Sequence, residues 1–100
     1  MRLRWTLQAV DDLAAIKAFI ERDSPVYARR VVEQLYEAAG GIPAFPDGGR
    51  MVPERGDPEL REILRPPYRI MYRRRPETVE ILTIHHSSRL LPEDFPRGAV

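Results

Sequence analysis

LREILRPPYRIMYRRRPETVEILTIHH, residues 60–86, is the stretch on which the fold turns. It holds three runs rich in Val, Ile and Tyr with charges between them: LREIL at 60–64, YRIMYR at 68–73 and TVEILTIHH at 78–86. Side chains of these types suit a pleated, half-buried surface, so each run reads as a strand. Pro66-Pro67 separates the first two runs and Arg75-Pro76-Glu77 the last two. Breaks this short bring consecutive strands together antiparallel, giving a three-stranded meander. Period-two alternation puts Ile63, Ile70, Tyr72, Val79 and Ile81 among the candidates for the face packed against helices, the register deciding the facing; Arg61 and Arg65 share a parity within their strand, as do Arg69, Met71 and Arg73 within theirs.

Upstream of the meander, residues 43–58 are rich in Pro, Gly and Asp, which forbids a long helix and predicts a loop with a brief strand near Met51 and Val52. A loop of that length in a small domain is often functional. Before it lie two helical stretches. From about Gln8 to Glu21, Val10, Leu13, Ile16, Phe19 and Ile20 recur at helical spacing, with Asp11 and Asp12 read as first-turn acids. Asp23-Ser24-Pro25 then stops one helix and starts another, Ser24 as N-cap and Pro25 at the first helical position, where its missing N–H costs nothing. The second helix should run to about Ala39 with Ala28, Val31, Val32, Leu35 and Ala39 inside, and Gly40-Gly41 is expected to supply a left-handed terminator. Arg2–Trp5 reads as an edge strand, and the tail from Leu90 to Val100, interrupted by Pro92 and Pro96, as a loose arm or a packed extended segment. The sum is one α+β domain over residues 1–100: an N-terminal strand, an α-helical hairpin and an antiparallel β-meander.

With 100 residues there is room for one core only. The 43% hydrophobic and 31% charged composition is that of a globular chain rather than a disordered one, despite ten prolines. The absence of cysteine excludes disulfides and thiolate metal sites and fits a reducing cytoplasm; two adjacent histidines do not make a metal site, and no cofactor is implied. The N-terminus lacks a basic stretch followed by an apolar run, so a soluble, unprocessed protein is expected. Net charge is +1, but Lys17 is the sole lysine, leaving 16 − 1 = 15 arginines. Arginine suits phosphate and carboxylate, although a GC-rich genome produces the same skew without any function.

Four further pieces occur in order: FPDGGRMVPE at 45–54, LREI at 60–63, YRIMYR at 68–73 and IHHSSRLLP at 84–92. Together with the opening tryptophan strand, DDLAAI and SPVYARRVVEQL, they resemble the RelE/ParE superfamily over nearly the whole chain. The resemblance implies the toxin of a type II toxin–antitoxin pair, linked to growth inhibition and plasmid stabilisation. It would be held inactive by a small antitoxin that contacts operator DNA on its behalf. ParE-like members poison DNA gyrase; RelE-like members cut messenger RNA on the ribosome without metal. The HSSRLLP ending at 86–92 is closer to ParE-like members. The lysine-dependent RelE pattern is missing, since Lys17 lies on the first helix and no tyrosine follows His86. A third alternative is a degenerate member that retains only antitoxin binding.

For the ribonuclease alternative, the resemblance points to Glu54 as base, His86 as acid, and Arg61 and Arg69 as phosphate-holding groups. Such chemistry needs a base, an acid and charge stabilisation at the phosphate, and these residue types supply them. Structural roles compete with each assignment. Arg61 and Arg69 could pair with Glu59, Glu62 or Glu80, Glu54 with Arg50 or Arg55, and His86 with backbone or Asp94, while Arg73-Arg74-Arg75 at a hairpin tip could be merely solvated. Trp5 and Phe19 are expected in the core. An antitoxin would need an apolar groove left open between the helix hairpin and a sheet edge.

Overall fold

The computed structural model describes residues 1–100. It contains β1 (Arg2–Trp5), α1 (Leu7–Glu21), α2 (Pro25–Gly40), a single 3-10 turn at Ile42–Ala44, β2 (Arg50–Met51), β3 (Leu60–Arg65), β4 (Tyr68–Arg74) and β5 (Thr78–His86). All five strands join one sheet in the order β1-β5-β4-β3-β2. The meander is antiparallel as its short turns require, and β1 adds to its far edge in parallel, with Arg4 opposite Glu80 and Trp5 opposite Ile81. Glu80 secures that edge. Its carboxylate accepts from Arg75 at 2.8 Å and from Arg4 at 2.5 Å, and these two guanidinium groups hold its pKa below the usual carboxylate range.

The helical hairpin covers one face of the sheet. Val31, Leu35 and Ala39 of α2 meet Ile70, Tyr72, Val79, Ile81 and Ile84, with Ile63 partly buried alongside, so the alternation-based assignment of the helix-packed face holds. Simple alternation breaks in β5 just after Leu82. Met71 pairs with Thr83 and Tyr72 with Ile81, leaving Leu82 as an extra residue in β5. This bulge lets Ile81 and Ile84 both reach the helix side while Leu82 turns to the other face. There it joins Val52, Leu60 and Met71 in a second cluster roofed by Leu91, Phe95 and Ala99 of the tail. The tail is thus packed, but it coils through successive turns rather than running extended.

The helices differ from expectation in three details. α1 starts at Leu7 behind the N-cap Thr6, whose hydroxyl accepts from the Ala9 N–H at 3.1 Å, so Asp11 and Asp12 fall beyond the first turn. Asp12 instead accepts from the Ile84 N–H at 3.1 Å, satisfying an edge of β5 that β1, ending at Trp5, does not reach. Phe19 is 68% and Val10 48% exposed, because the core-facing stripe of α1 is Ala9, Leu13, Ile16 and Ile20. Gly41 ends α2 in right-handed geometry (φ −82°), its N–H shared among the last carbonyls, without a left-handed residue. Ser24 caps α2 as expected, accepting from the Tyr27 N–H at 3.1 Å. Trp5, half-buried, stacks on Tyr36 at 5.8 Å.

Tyr72 ties the long loop to the sheet. Its buried hydroxyl donates to the Pro46 carbonyl at 2.7 Å and accepts from the Gly49 N–H at 3.1 Å. A Cβ on Gly49 would lie 2.6 Å from both that hydroxyl and the Glu62 carbonyl, so only glycine fits. The three tip arginines are not merely solvated: Arg73 faces Asp57 at 3.6 Å, Arg74 bonds Asp47 and Glu59, and Arg75 bonds Glu80. Gly49→Ala should therefore lower stability by about 1–3 kcal/mol through forced displacement of Tyr72 or the β3 backbone. A urea titration in which the variant keeps the wild-type midpoint would contradict this reading.

Candidate functional site

The outer face of the sheet, away from the helices, carries a chain of alternating charges. Arg69 on β4 alternates with helix-packed Ile70 and so points outward. Its Nε donates to Glu62 at 2.7 Å, and its two terminal nitrogens donate to the two oxygens of Glu54 at 2.8 and 2.7 Å. The second oxygen of Glu62 accepts from Arg50 Nε at 2.7 Å. Two elements create this arrangement. The two-residue Pro66-Pro67 turn sets Leu64 opposite Arg69 and places Glu62 within its reach, and the 52–58 loop, turned at Gly56 (φ +67°), brings Glu54 over the strand.

Burial makes the pairing strong. The Glu62 side chain is fully buried and that of Arg69 is 10% exposed, so leaving either charge unpaired would be costly. The bidentate bonds from Arg69 outweigh desolvation and lower the pKa of Glu54 from 4.5 to about 2. In return, Glu54 first and then Glu62 raise that of Arg69 despite burial.

Of the four residues singled out for RNA chemistry, the structure joins two, Glu54 and Arg69. Arg61 lies elsewhere: its Nε donates to the Pro58 carbonyl at 2.9 Å and a terminal nitrogen to the Gly49 carbonyl at 3.1 Å. His86 pairs with Tyr68 across the strands and meets its ring edge-on at 5.5 Å on the helix side of the sheet, where it lines a shallow hollow with Phe19. Its Nδ1 accepts from the Ser88 N–H at 3.1 Å. The histidine that shares the outer face and register with Arg69 is His85; its Nε2 lies 2.9 Å from the Arg89 carbonyl. Only the register of β5 distinguishes the two histidines, and the Leu82 bulge conceals that register from simple alternation. Glu62 was foreseen as a possible arginine partner but not as the buried centre of the network.

As it stands the constellation does little acid–base work. A general base is effective when its pKa lies near the operating pH, and Glu54 is far below. Arg69 has every nitrogen committed to a carboxylate, so it offers no free fork for phosphate.

A different feature occupies the opposite side. Between α2 and the β3–β4 turn runs a groove of about 750 Å³, floored by Ile20, Val31, Leu35 and Ala38 and rimmed by Tyr27, Arg65 and Tyr68. Beside it, β2 pairs with β3 only at Arg61 and Glu62, leaving the β3 edge from Ile63 to Arg65 without a strand neighbour. Burial of the Tyr68 phenol raises its pKa.

Because the folded pKa of Glu54 is depressed, its stabilising contribution is complete above about pH 4.5 and is lost as pH falls toward about 2. Glu54→Gln should flatten that part of the stability profile, checked by denaturant midpoints of both proteins between pH 6 and 2.5; parallel profiles would remove the ion pair from the acid response. Arg69→Met, which leaves buried Glu62 with Arg50 alone, should cost about 3 kcal/mol.

Comparison with known proteins places this architecture. The family described as "ParE toxin of type II toxin-antitoxin system, parDE" matches residues 3–91. The chain is 38% identical over 92 residues to "Putative toxin Y4kP" of Sinorhizobium fredii, covering 92% of this chain and 94% of that protein. It is 37% identical over 87 residues to "Toxin RelE2" of Caulobacter vibrioides, covering 86% and 94% respectively. Among solved structures it is similar to a chain of the "Chromosomal ParDE TA system from P. aeruginosa", with 26% identity and a TM-score of 0.71 over 86% of this chain and 95% of that one.

Proposed function

The chain belongs to the ParE toxin family of type II toxin–antitoxin systems, within the RelE/ParE superfamily, and from that membership we propose that it is a growth-inhibiting cytoplasmic toxin. It is neutralised by a cognate antitoxin and acts on DNA gyrase by binding rather than by cutting RNA.

One observation carries the choice of target: the Arg69 guanidinium is closed between Glu54 and Glu62. A ribonuclease of this fold needs a free cation for the phosphate and a base that holds protons near neutral pH. Here the cation is saturated, the base has a pKa of about 2, and His86 lies on the other side of the sheet. That arrangement supports a toxin that works through its surface. The HSSRLLP ending resembles ParE-like members and points the same way.

The antitoxin's place is supported by the groove between α2 and the β3–β4 turn. An apolar floor beside an open strand edge accommodates an amphipathic segment that packs as a helix, pairs as a strand, or does both. No helix of the chain is long and apolar enough to cross a membrane, in keeping with a target in the cytoplasm.

Inducible expression without antitoxin, following growth, DNA breaks and messenger RNA ends in the same cells, tests the target. Gyrase-dependent breaks with intact transcripts are expected, and Glu54→Gln and His86→Ala should remain toxic. Codon-phased RNA cuts that either substitution abolishes would instead establish the ribonuclease. Harmless expression at confirmed soluble levels would leave a degenerate antitoxin-binding module. Tyr27→Asp, at a half-exposed groove position, should preserve toxicity and weaken rescue by the antitoxin. Undiminished rescue would move the antitoxin elsewhere.

A further inference from the structure

The family match ends at Leu91, yet the chain continues for nine residues that fold back onto the protein. They coil through three turns: the Phe95 N–H donates to the Pro92 carbonyl at 3.0 Å, Arg97 to Asp94 at 2.7 Å and Ala99 to Pro96 at 3.0 Å. This spacing projects Leu91, Phe95 and Ala99 onto Val52, Leu60, Met71 and Leu82. Those four residues lie on the outer face of the sheet, where no helix packs, and they are at most 3% exposed under this roof.

The roof is attached by few groups. Arg55 reaches out of the 52–58 loop; its Nε donates to the Phe95 carbonyl at 2.6 Å and a terminal nitrogen to the Pro92 carbonyl. At the far end, the Leu7 N–H donates to the Val100 carbonyl at 2.5 Å. Between β5 and the roof, Ser87, Ser88, Arg89 and Leu90 are all exposed, Leu90 at 95%. A small apolar contact, one side-chain catch, a single backbone bond at the far end and an exposed link are the features of a segment that opens by itself.

We infer that residues 91–100 form a strap that swings about the 87–90 link while the sheet stays folded, with Arg55 as its catch. Closed, the strap covers Val52, Leu60, Met71 and Leu82. Open, it presents Val52, Leu60, Met71 and Leu82 as a second apolar surface that the family-matched core does not itself cover.

Residue-resolved hydrogen exchange on the full chain provides the test, because the Phe95, Arg97 and Ala99 amides are hydrogen-bonded only within the strap. In the wild type they should exchange faster than the β4 and β5 amides. Removing the charged donor in Arg55→Ala should speed them by about tenfold or more, with the sheet amides unchanged and binding of the dye ANS increased. Phe95→Ala loosens the same contact without altering the 52–58 loop and should act in the same direction. Strap amides that exchange at the sheet rate in all three proteins would show that the tail opens only on global unfolding and would overturn the inference. Equal acceleration of strap and sheet by both substitutions would overturn it as well.

Discussion

Arg69 lies on a central strand of the sheet with both terminal nitrogens on Glu54 and its Nε on Glu62, and much else follows from that closed charge. Glu62 is fully buried on β3, so its carboxylate is tolerable only while Arg69 and Arg50 face it. Glu54 comes from the loop, so the same guanidinium that neutralises the sheet also fixes the 52–58 segment above it. With that segment placed, Arg55 is in position to hold the tail. A single cation therefore links strand pairing, loop placement and, through the neighbouring residue, the covering of the outer face. Its saturation also bears on chemistry, since a fork committed to two carboxylates is a poor phosphate ligand.

The sheet has two apolar faces and the chain covers them differently. The helix hairpin supplies a broad cover, with Val31, Leu35 and Ala39 over the Ile70 to Ile84 face. The outer face has a smaller cluster, and three tail side chains suffice. The Leu82 bulge makes the division possible, since it allows Ile81 and Ile84, three apart in β5, both to serve the helix side while Leu82, one of the two residues between them, serves the tail. What remains open is the groove beside α2 and the unpaired end of β3, where the short β2 strand stops.

How far residue patterns carry can be read from particular elements. Ser24 and Pro25 announced the start of α2 because capping is local chemistry, settled within four residues. Ile63, Ile70, Tyr72, Val79 and Ile81 were assigned to the helix side from alternation because a strand has a period of two whatever it packs against. Phe19 was misplaced in the core because helical spacing gives a stripe but not its limits; which neighbours of Ile16 and Ile20 are covered depends on where α2 and the sheet lie. Asp12 was read as a helix-dipole acid, but its role is set by the point at which β1 ends and leaves an amide of β5 without a strand partner.

Element types, their order, the antiparallel meander and the family resemblance are legible along the chain, because these rest on local propensities, short turns and contiguous motifs. Long-range packing, by contrast, makes β1 join in parallel, brings Glu54 to Arg69 rather than to Arg50 or Arg55, puts His85 and not His86 on the face of Arg69, and turns the tail into a roof. Each of these depends on register or on contact between residues far apart in the chain. One extra residue in β5 is enough to exchange the faces of everything beyond it, and no local pattern records where that residue falls.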